Sequence, residues 1–201
     1  MIMKPLKYIL LFAVNLLFTN ATTPTPVKST YTLADDYVIT IKGTSNLHDW
    51  DEKVKTVTGN GIVNFIDETS FDIESISLKM EVHSIKSSEG GTMNNNTYKA
   101  LKADVNPQII FTLTMPIKSI QTKSAGKTIS AKGNLTIAGV TKAVDMKVKT
   151  SMPEHGKLIF EGSQTIQMTD YDVKPPTALL GILKTGNTIT INFKTNFLIN
   201  K

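Results

Sequence analysis

The chain has 201 residues, which is enough for one domain with a full hydrophobic core. It has no cysteine, and this excludes disulfide bonds, a thiolate nucleophile, a cysteine metal site and a lipid-modified N-terminal cysteine. Its 22 basic residues are all lysine, are spread along the chain and only slightly outnumber the 17 acidic residues. This composition argues against a nucleic-acid partner, because arginine supplies the bidentate contacts to phosphates and bases.

The first residues have the pattern of a secretory signal peptide. Two lysines precede an apolar run of 11 residues at 8–18, and the segment ends at the small residue Ala21. The run is shorter than the roughly 20 residues that a membrane-spanning helix needs. We therefore predict a periplasmic protein that is neither a lipoprotein nor anchored by a membrane segment. The predicted parts are a signal peptide at 1–21, a flexible Thr- and Pro-rich lead at 22–29 and one domain at 30–201.

Alternation of apolar and polar residues, which is typical of strands with one buried face, dominates the rest of the chain. Shorter segments of the same kind lie at residues 31–33, 37–42 and 57–65, so we expect about eight or nine strands. The apolar sets, in chain order, are Ile76, Leu78, Met80 and Val82; Ile109, Phe111, Leu113 and Met115; Ile129, Ala131, Leu135 and Ile137; Val144, Met146 and Val148; Leu158, Phe160 and Ile166; and Ile189, Ile191, Phe193 and Phe197.

Helix has little room in this pattern. Residues 94–103 have helical spacing, with asparagines as N-terminal caps and Pro107 beyond the end. So many two-faced strands must bury their apolar faces together, and open edges would invite association. We therefore predict an all-β fold, an antiparallel eight-stranded barrel with one short helix near its opening. Glycines inside the predicted strands are typical of bulges or sharp bends; they are Gly59, Gly61, Gly133 and Gly162.

The titratable residues form no constellation that is typical of catalysis or metal binding. His48, His83 and His155 are far apart in the sequence and show no metal-ligand spacing. Adjacent acids such as Asp51 and Glu52 are interpreted as solvated loop carboxylates, and there is no Gly-x-Ser-x-Gly nucleophile motif. We predict no catalytic residue, no metal site and no enzymatic activity.

The histidine with the most informative neighbours is His48, which lies between Leu47 and Asp49, close to the single tryptophan, Trp50. One interpretation is a site at the mouth of the barrel. The other is a turn in which Trp50 packs on the barrel and Asx residues make local backbone hydrogen bonds.

Three segments carry a resemblance to a known family. Residues 133–144 (GNLTIAGVTKAV) match a Gly-x-Leu-Thr-Ile-x-Gly-Val-Thr-Lys pattern, residues 106–111 (NPQIIF) match a Pro-x-Ile-x-Phe strand opening, and residues 43–50 (GTSNLHDW) match one version of a first hairpin. In these features the chain resembles the YceI-like proteins over about residues 30–200. It departs from better known members at residues 94–101, where the family has its short helix near the cavity opening, and at the Pro175–Gly181 connection.

The resemblance implies an exported, lipocalin-like barrel that sequesters or carries a long-chain lipid or polyisoprenoid in its interior. The bound lipid would take the place of a cofactor. The candidates for the cavity wall are the inward residues Leu78, Met80, Val82, Phe111, Leu113, Leu135, Ile137, Val144, Met146, Phe160, Ile191 and Phe193. The candidates for the cavity mouth are His48, Trp50, Tyr98 and Leu101.

Two alternatives remain at this stage. The first is a packed barrel without lipid cargo that acts as an interaction or structural module through its outer loops at residues 47–50 and 177–183. The second is a hydrolase or isomerase that acts on a bound lipid, with His48 and Asp49 as acid–base candidates, and it requires His48 to point into the cavity. The identity of the lipid and the oligomeric state stay open, with a homodimer as one option.

Overall fold

The computed structural model describes residues 27–121, 126–154 and 156–200, which fold into β-strands, one α-helix and short 3-10 segments. The strands are β1 (Val27–Leu33), β2 (Val38–Ser45), β3 (Asp49–Val54), β4 (Val57–Phe65), β5 (Ser70–Glu81), β6 (Ile85–Ser87), β7 (Gln108–Leu113), β8 (Ile117–Gln121), β9 (Lys127–Ile137), β10 (Val140–Glu154), β11 (Lys157–Gln167), β12 (Thr177–Ala178) and β13 (Leu183–Ile199). The helix is α1 (Gly91–Ala100), and the 3-10 segments are Val82–Ser84, Met168–Tyr171 and Leu179–Gly181.

The strands close into one antiparallel barrel. Each of the first three strands of the ring consists of two segments, β1 with β2, β4 with β3, and β5 with β6. Along one half of these strands β1 pairs with β4 and β4 pairs with β5. Along the other half β2 pairs with β3 and β3 pairs with β6. Strands β7, β9, β10, β11 and β13 follow, each paired with the next, and β7 pairs with β5. Strand β13 closes the ring by pairing with both β1 and β2. The predicted eight-stranded antiparallel barrel is confirmed.

The helix α1 covers one end of the barrel. It begins and ends three residues earlier than the predicted segment, and the prediction of asparagine caps is wrong because Gly90 occupies the N-cap position without a side-chain hydrogen bond. Asn94 instead accepts a hydrogen bond from the backbone N–H of Ser87 through its Oδ1 atom at 2.8 Å. The hydroxyl group of Tyr98 lies 2.8 Å from the carbonyl oxygen of Ile85. These contacts attach the helix to β6.

Strand ends differ from the sequence prediction at two places. Strand β1 begins at Val27, so residues 27–29 belong to the barrel rather than to the flexible lead. Met115 does not share the inner face, because β7 ends at Leu113 and the Met115 side chain is exposed. The predicted signal peptide, most of the lead and His155 lie outside the described residues.

The glycines inside the strands provide room for side chains of neighbouring strands. The ring of Phe111 lies across Gly133, and the ring of Phe193 lies across Gly162, so that a Cβ atom at either glycine would clash with the aromatic ring. One register shift of the barrel lies next to Gly61, between Ile62 and Val63. At Gly133 and Gly162 the missing side chain thus admits an aromatic ring, whereas a Cβ atom at Gly59 or Gly61 would meet the side chain of Leu78 or Ile76.

Candidate functional site

The barrel interior contains two cavities. The inner cavity has a volume of about 100 Å³ and is lined by residues that include Ile39, Ile129 and Phe197. The helix-side cavity has a volume of about 120 Å³ and lies beneath α1, with Thr97 and Tyr171 among its lining residues. Both are smaller than the roughly 300–1,000 Å³ of typical ligand pockets.

The two cavities lie end to end along the barrel. Successive inward residues of one strand line first one cavity and then the other; these pairs are Ile41 and Ile39 on β2, Ile109 and Phe111 on β7, and Ile137 and Leu135 on β9, while Ile191 on β13 lines both. On β13, beyond the register shift that follows Thr185, the lining extends from Ile189 to Phe197. At about 3.3 Å per residue this is about 26 Å of strand, or about 20 Å along the axis of a barrel whose strands are tilted by about 40°.

The wall of the inner cavity is almost entirely apolar. Its polar lining residues are Gln164 and Thr195, and the other lining side chains are aliphatic, aromatic or methionine. Met80 on β5 and Met146 on β10 are both part of this wall. Because methionine has several rotatable bonds, these two side chains make this wall adaptable.

Most of the predicted wall residues line these cavities. Nine lie on the inner cavity: Leu78, Met80, Phe111, Leu113, Leu135, Met146, Phe160, Ile191 and Phe193. Ile137 lies on the helix-side cavity. Val82 lines neither cavity, because it belongs to the 3-10 segment after β5, where it is fully buried. Val144 also lines neither cavity, although it is partly buried and packs against the core. The contact of these residues with a lipid stays a prediction.

Two of the four predicted mouth residues, Trp50 and Leu101, line the helix-side cavity. The Trp50 ring lies across Gly43, and its Nε1–H group donates a hydrogen bond to the carbonyl oxygen of Thr44 at 3.0 Å. Tyr98 lines neither cavity and has the role in helix attachment described above.

His48 also lies outside both cavities. Its side chain is half-exposed, and its Nδ1 atom is 2.8 Å from the carbonyl oxygen of Asp49 and 3.7 Å from the Glu89 carboxylate. Ser45 organises the adjacent turn, since its hydroxyl donates to the carbonyl oxygen of His48 and accepts from the N–H groups of Leu47 and His48. The hydrolase alternative therefore lacks the acid–base pair that it requires inside the cavity.

Sequence reasoning missed Glu52, which is the charged residue of the helix-side cavity. Its side chain is 2% exposed, and its Oε1 atom accepts a hydrogen bond of 2.7 Å from the Thr97 hydroxyl. Burial raises the pKa of Glu52 from 4.5 to about 7; the hydrogen bond from Thr97 opposes this effect and the charge of Glu89 adds to it. The interpretation of Glu52 as a solvated loop carboxylate is wrong. The sequence does contain a signal for this burial. Trp50, Glu52 and Val54 are every second residue of β3, so their side chains share the inner side of the strand.

The cavities therefore combine an apolar tube with one polar end. Beside Glu52, the polar residues that line the helix-side cavity include Asn96 and Thr97 on α1 as well as Tyr171 and Thr185. Within the described residues, no three His, Asp or Glu side chains converge in a way that would hold a metal ion. Such an arrangement suits an elongated apolar ligand that carries a small polar group at one end.

Comparison with known proteins identifies the family. The family model of the YceI-like domain matches residues 37–197. The chain belongs to the YceI-like family. No curated protein sequence matches it. The predicted resemblance is thereby confirmed, and the family match covers all the barrel strands except β1 and the last two residues of β13.

Solved structures of other YceI-like barrels share the fold. A polyisoprenoid binding domain from Saccharophagus degradans, implicated in plant cell wall breakdown, has a TM-score of 0.68 and 13% identity over 85% of this chain and 98% of its own. Burkholderia cenocepacia BcnA has a TM-score of 0.58 and 17% identity over 80% and 95% of the two chains. The Campylobacter jejuni YCEI protein has a TM-score of 0.52 and 18% identity over 75% and 84%.

At these identities the likeness shows a common fold. In the part of the chain that the structure describes, no helix is long and apolar enough to cross a bilayer.

Proposed function

We propose that this YceI-like protein binds a long-chain lipid or polyisoprenoid inside its barrel and sequesters or carries it without a chemical step. The observation that carries the proposal is the pair of end-to-end cavities with an almost wholly apolar lining. The polyisoprenoid binding domain of Saccharophagus degradans, which has the same fold, supports the choice of ligand class.

The length of the lined interior matches a lipid chain. Its extent of about 20 Å along the axis exceeds the roughly 15 Å that one leaflet contributes to a bilayer core of about 30 Å. Each CH₂ group that leaves water for such an interior contributes about 0.8 kcal/mol, so affinity is available without a dense polar site. Because the cavities are narrow, entry of a long chain requires side chains to move, and Met80 and Met146 supply that freedom.

We further propose that the protein works in the periplasm. The support is the signal-peptide pattern at residues 1–21, with its two lysines, its short apolar run and Ala21. Intact-mass measurement of the chain from a periplasmic fraction tests this step. We expect a mass that corresponds to a chain beginning near Thr22, and a chain that retains Met1 in the cytoplasmic fraction would contradict it.

An experiment with Ala131 tests the lipid proposal directly. Ala131 is buried on the wall of the inner cavity, so Ala131→Phe places a phenyl ring in the space that the chain would occupy. Ala143, which is exposed on β10, allows the same substitution on the outer face as a matched control. Binding of a long-chain lipid is followed through the fluorescence of Trp50, the single tryptophan, which lines the neighbouring cavity.

We expect wild type and Ala143→Phe to bind the lipid with equal affinity and Ala131→Phe to bind it at least tenfold more weakly while remaining folded. A core overpacked by a ring costs about 1–3 kcal/mol, and circular dichroism monitors whether the fold survives. If wild type takes up no long-chain lipid of any kind, the proposal fails and the packed interaction module becomes the better account.

A further inference from the structure

The polar end of the helix-side cavity has features that select a head group. This inference rests on the proposed lipid-binding function and concerns the same site. The Oε1 atom of Glu52 is engaged by Thr97, and within the described residues no hydrogen bond reaches its Oε2 atom. Glu52 therefore retains an oxygen for a ligand in a cavity that is otherwise lined mainly by apolar side chains.

The charges around Glu52 argue against an anionic head group. No lysine is found among the described residues that line the helix-side cavity. The neighbours of Glu52 in the sheet are Ile41 on β2 and Ser87 on β6, which are uncharged, and the nearby charge that acts on it is the Glu89 carboxylate. A phosphate or carboxylate placed here would be buried beside acids without a cation to balance it, which is costly.

A cationic head group is also a poor match. It would form an ion pair with Glu52 in a low-dielectric cavity, where loss of hydration for each ion offsets the attraction. A hydroxyl group needs one acceptor and one donor. The Oε2 atom of Glu52 accepts a hydrogen bond from such a hydroxyl, or donates one when the carboxyl group is protonated, and the Thr97 oxygen, whose own hydrogen is donated to Oε1 at 2.7 Å, keeps lone pairs that accept one.

We propose that the helix-side cavity binds the uncharged hydroxyl end of a long-chain alcohol, with Glu52 and Thr97 as its hydrogen-bond partners, while the hydrocarbon chain extends into the inner cavity. Ile191, which lines both cavities, lies where the chain passes from one to the other. The site thus has a defined direction, with the polar end beneath α1 and the tail toward Phe197.

A panel of five ligands that share one C15 isoprenoid chain tests the proposal: farnesene, farnesol, farnesylamine, farnesoic acid and farnesyl monophosphate. Their dissociation constants are measured on the delipidated mature chain at pH 7 by Trp50 fluorescence and calorimetry. We expect farnesol to bind about fivefold more tightly than farnesene, as one buried hydrogen bond predicts, and the acid and the phosphate to bind more weakly than farnesene. Tighter binding of the amine, the acid or the phosphate than of the alcohol would overturn the proposal.

Variants of Glu52 assign the preference to this residue. Glu52→Leu is expected to remove the fivefold preference for farnesol over farnesene, and Glu52→Gln, which keeps a donor and an acceptor, is expected to restore it. Asp51→Asn, on the exposed face of the same strand, serves as the matched control and should leave the preference unchanged. A preference that persists in Glu52→Leu contradicts the assignment.

The two levels of the account fail in different ways. If none of the five ligands binds, including the hydrocarbon, the proposed lipid-binding function is wrong. If all five bind equally well, lipid binding stands and the head-group proposal is wrong.

Discussion

The buried carboxyl group of Glu52 makes a quantitative prediction about stability and pH. Its folded-state pKa of about 7 lies above the ordinary 4.5, so the folded chain binds more protons than the unfolded chain between these values. The contribution of Glu52 to stability is therefore fully present below pH 4.5 and is lost as the pH rises through about 7. At 1.36 kcal/mol per pH unit, the free energy of unfolding should fall by about 3 kcal/mol over this range.

The substitution Glu52→Gln is expected to remove this decline, because glutamine occupies a similar volume and does not ionise. Urea unfolding curves at pH 5, 6, 7 and 8 measure the free energy of unfolding of wild type and variant. The free energy of unfolding of the variant should rise relative to that of wild type, by up to about 3 kcal/mol between pH 5 and pH 8, and the variant should be the more stable protein at pH 8.

The control for this experiment is Asp51→Asn, which removes one carboxylate from the exposed face of β3 and should follow the wild-type profile. The reasoning is refuted if Glu52→Gln and wild type show parallel profiles from pH 5 to pH 8. It is also refuted if wild type becomes more stable as the pH rises over that interval.

Two further substitutions probe other parts of the barrel. Lys118→Met removes the 2.8 Å ion pair with buried Asp72; burial acts to raise the pKa of Asp72, but hydrogen bonds from Lys118 and the backbone hold it below its ordinary value. We expect the free energy of unfolding to fall by about 1–2 kcal/mol at pH 7 and by less below pH 4, where Asp72 protonates. Equal losses above and below pH 4 in urea unfolding would contradict this prediction. Gly43→Ala should displace the Trp50 ring and move its fluorescence to longer wavelength, whereas Gly91→Ala, which has open space, should not; an unchanged Gly43→Ala spectrum would show that the ring does not occupy this position.

The barrel was predictable from the sequence because its strands have one buried and one solvated face. Strand β9 shows this best, since Ile129, Ala131, Gly133, Leu135 and Ile137 are buried while the residues that alternate with them are exposed or half-buried. Period-2 alternation of this kind determines both the strand and its inward side. The same rule placed nine predicted wall residues on the inner cavity.

Other features depend on contacts between distant segments, which a local pattern does not contain. The burial of Glu52 follows from the position of α1, whose Thr97 is 45 residues away in the sequence. The outward direction of His48 follows from the turn that Ser45 organises. The contact of the Phe111 ring with Gly133 requires knowledge of which strands are neighbours, and without that knowledge glycine in a strand is equally typical of a bulge.

The most direct test of the central claim is native mass spectrometry, with organic extraction and lipid analysis, on the protein purified without detergent from the cells that naturally produce it. The account predicts a stoichiometric long-chain species with an uncharged hydroxyl end. Protein of bare mass that also takes up no long-chain lipid when it is offered would contradict lipid binding, and a stoichiometric phosphorylated lipid would contradict the head-group assignment while leaving lipid binding in place.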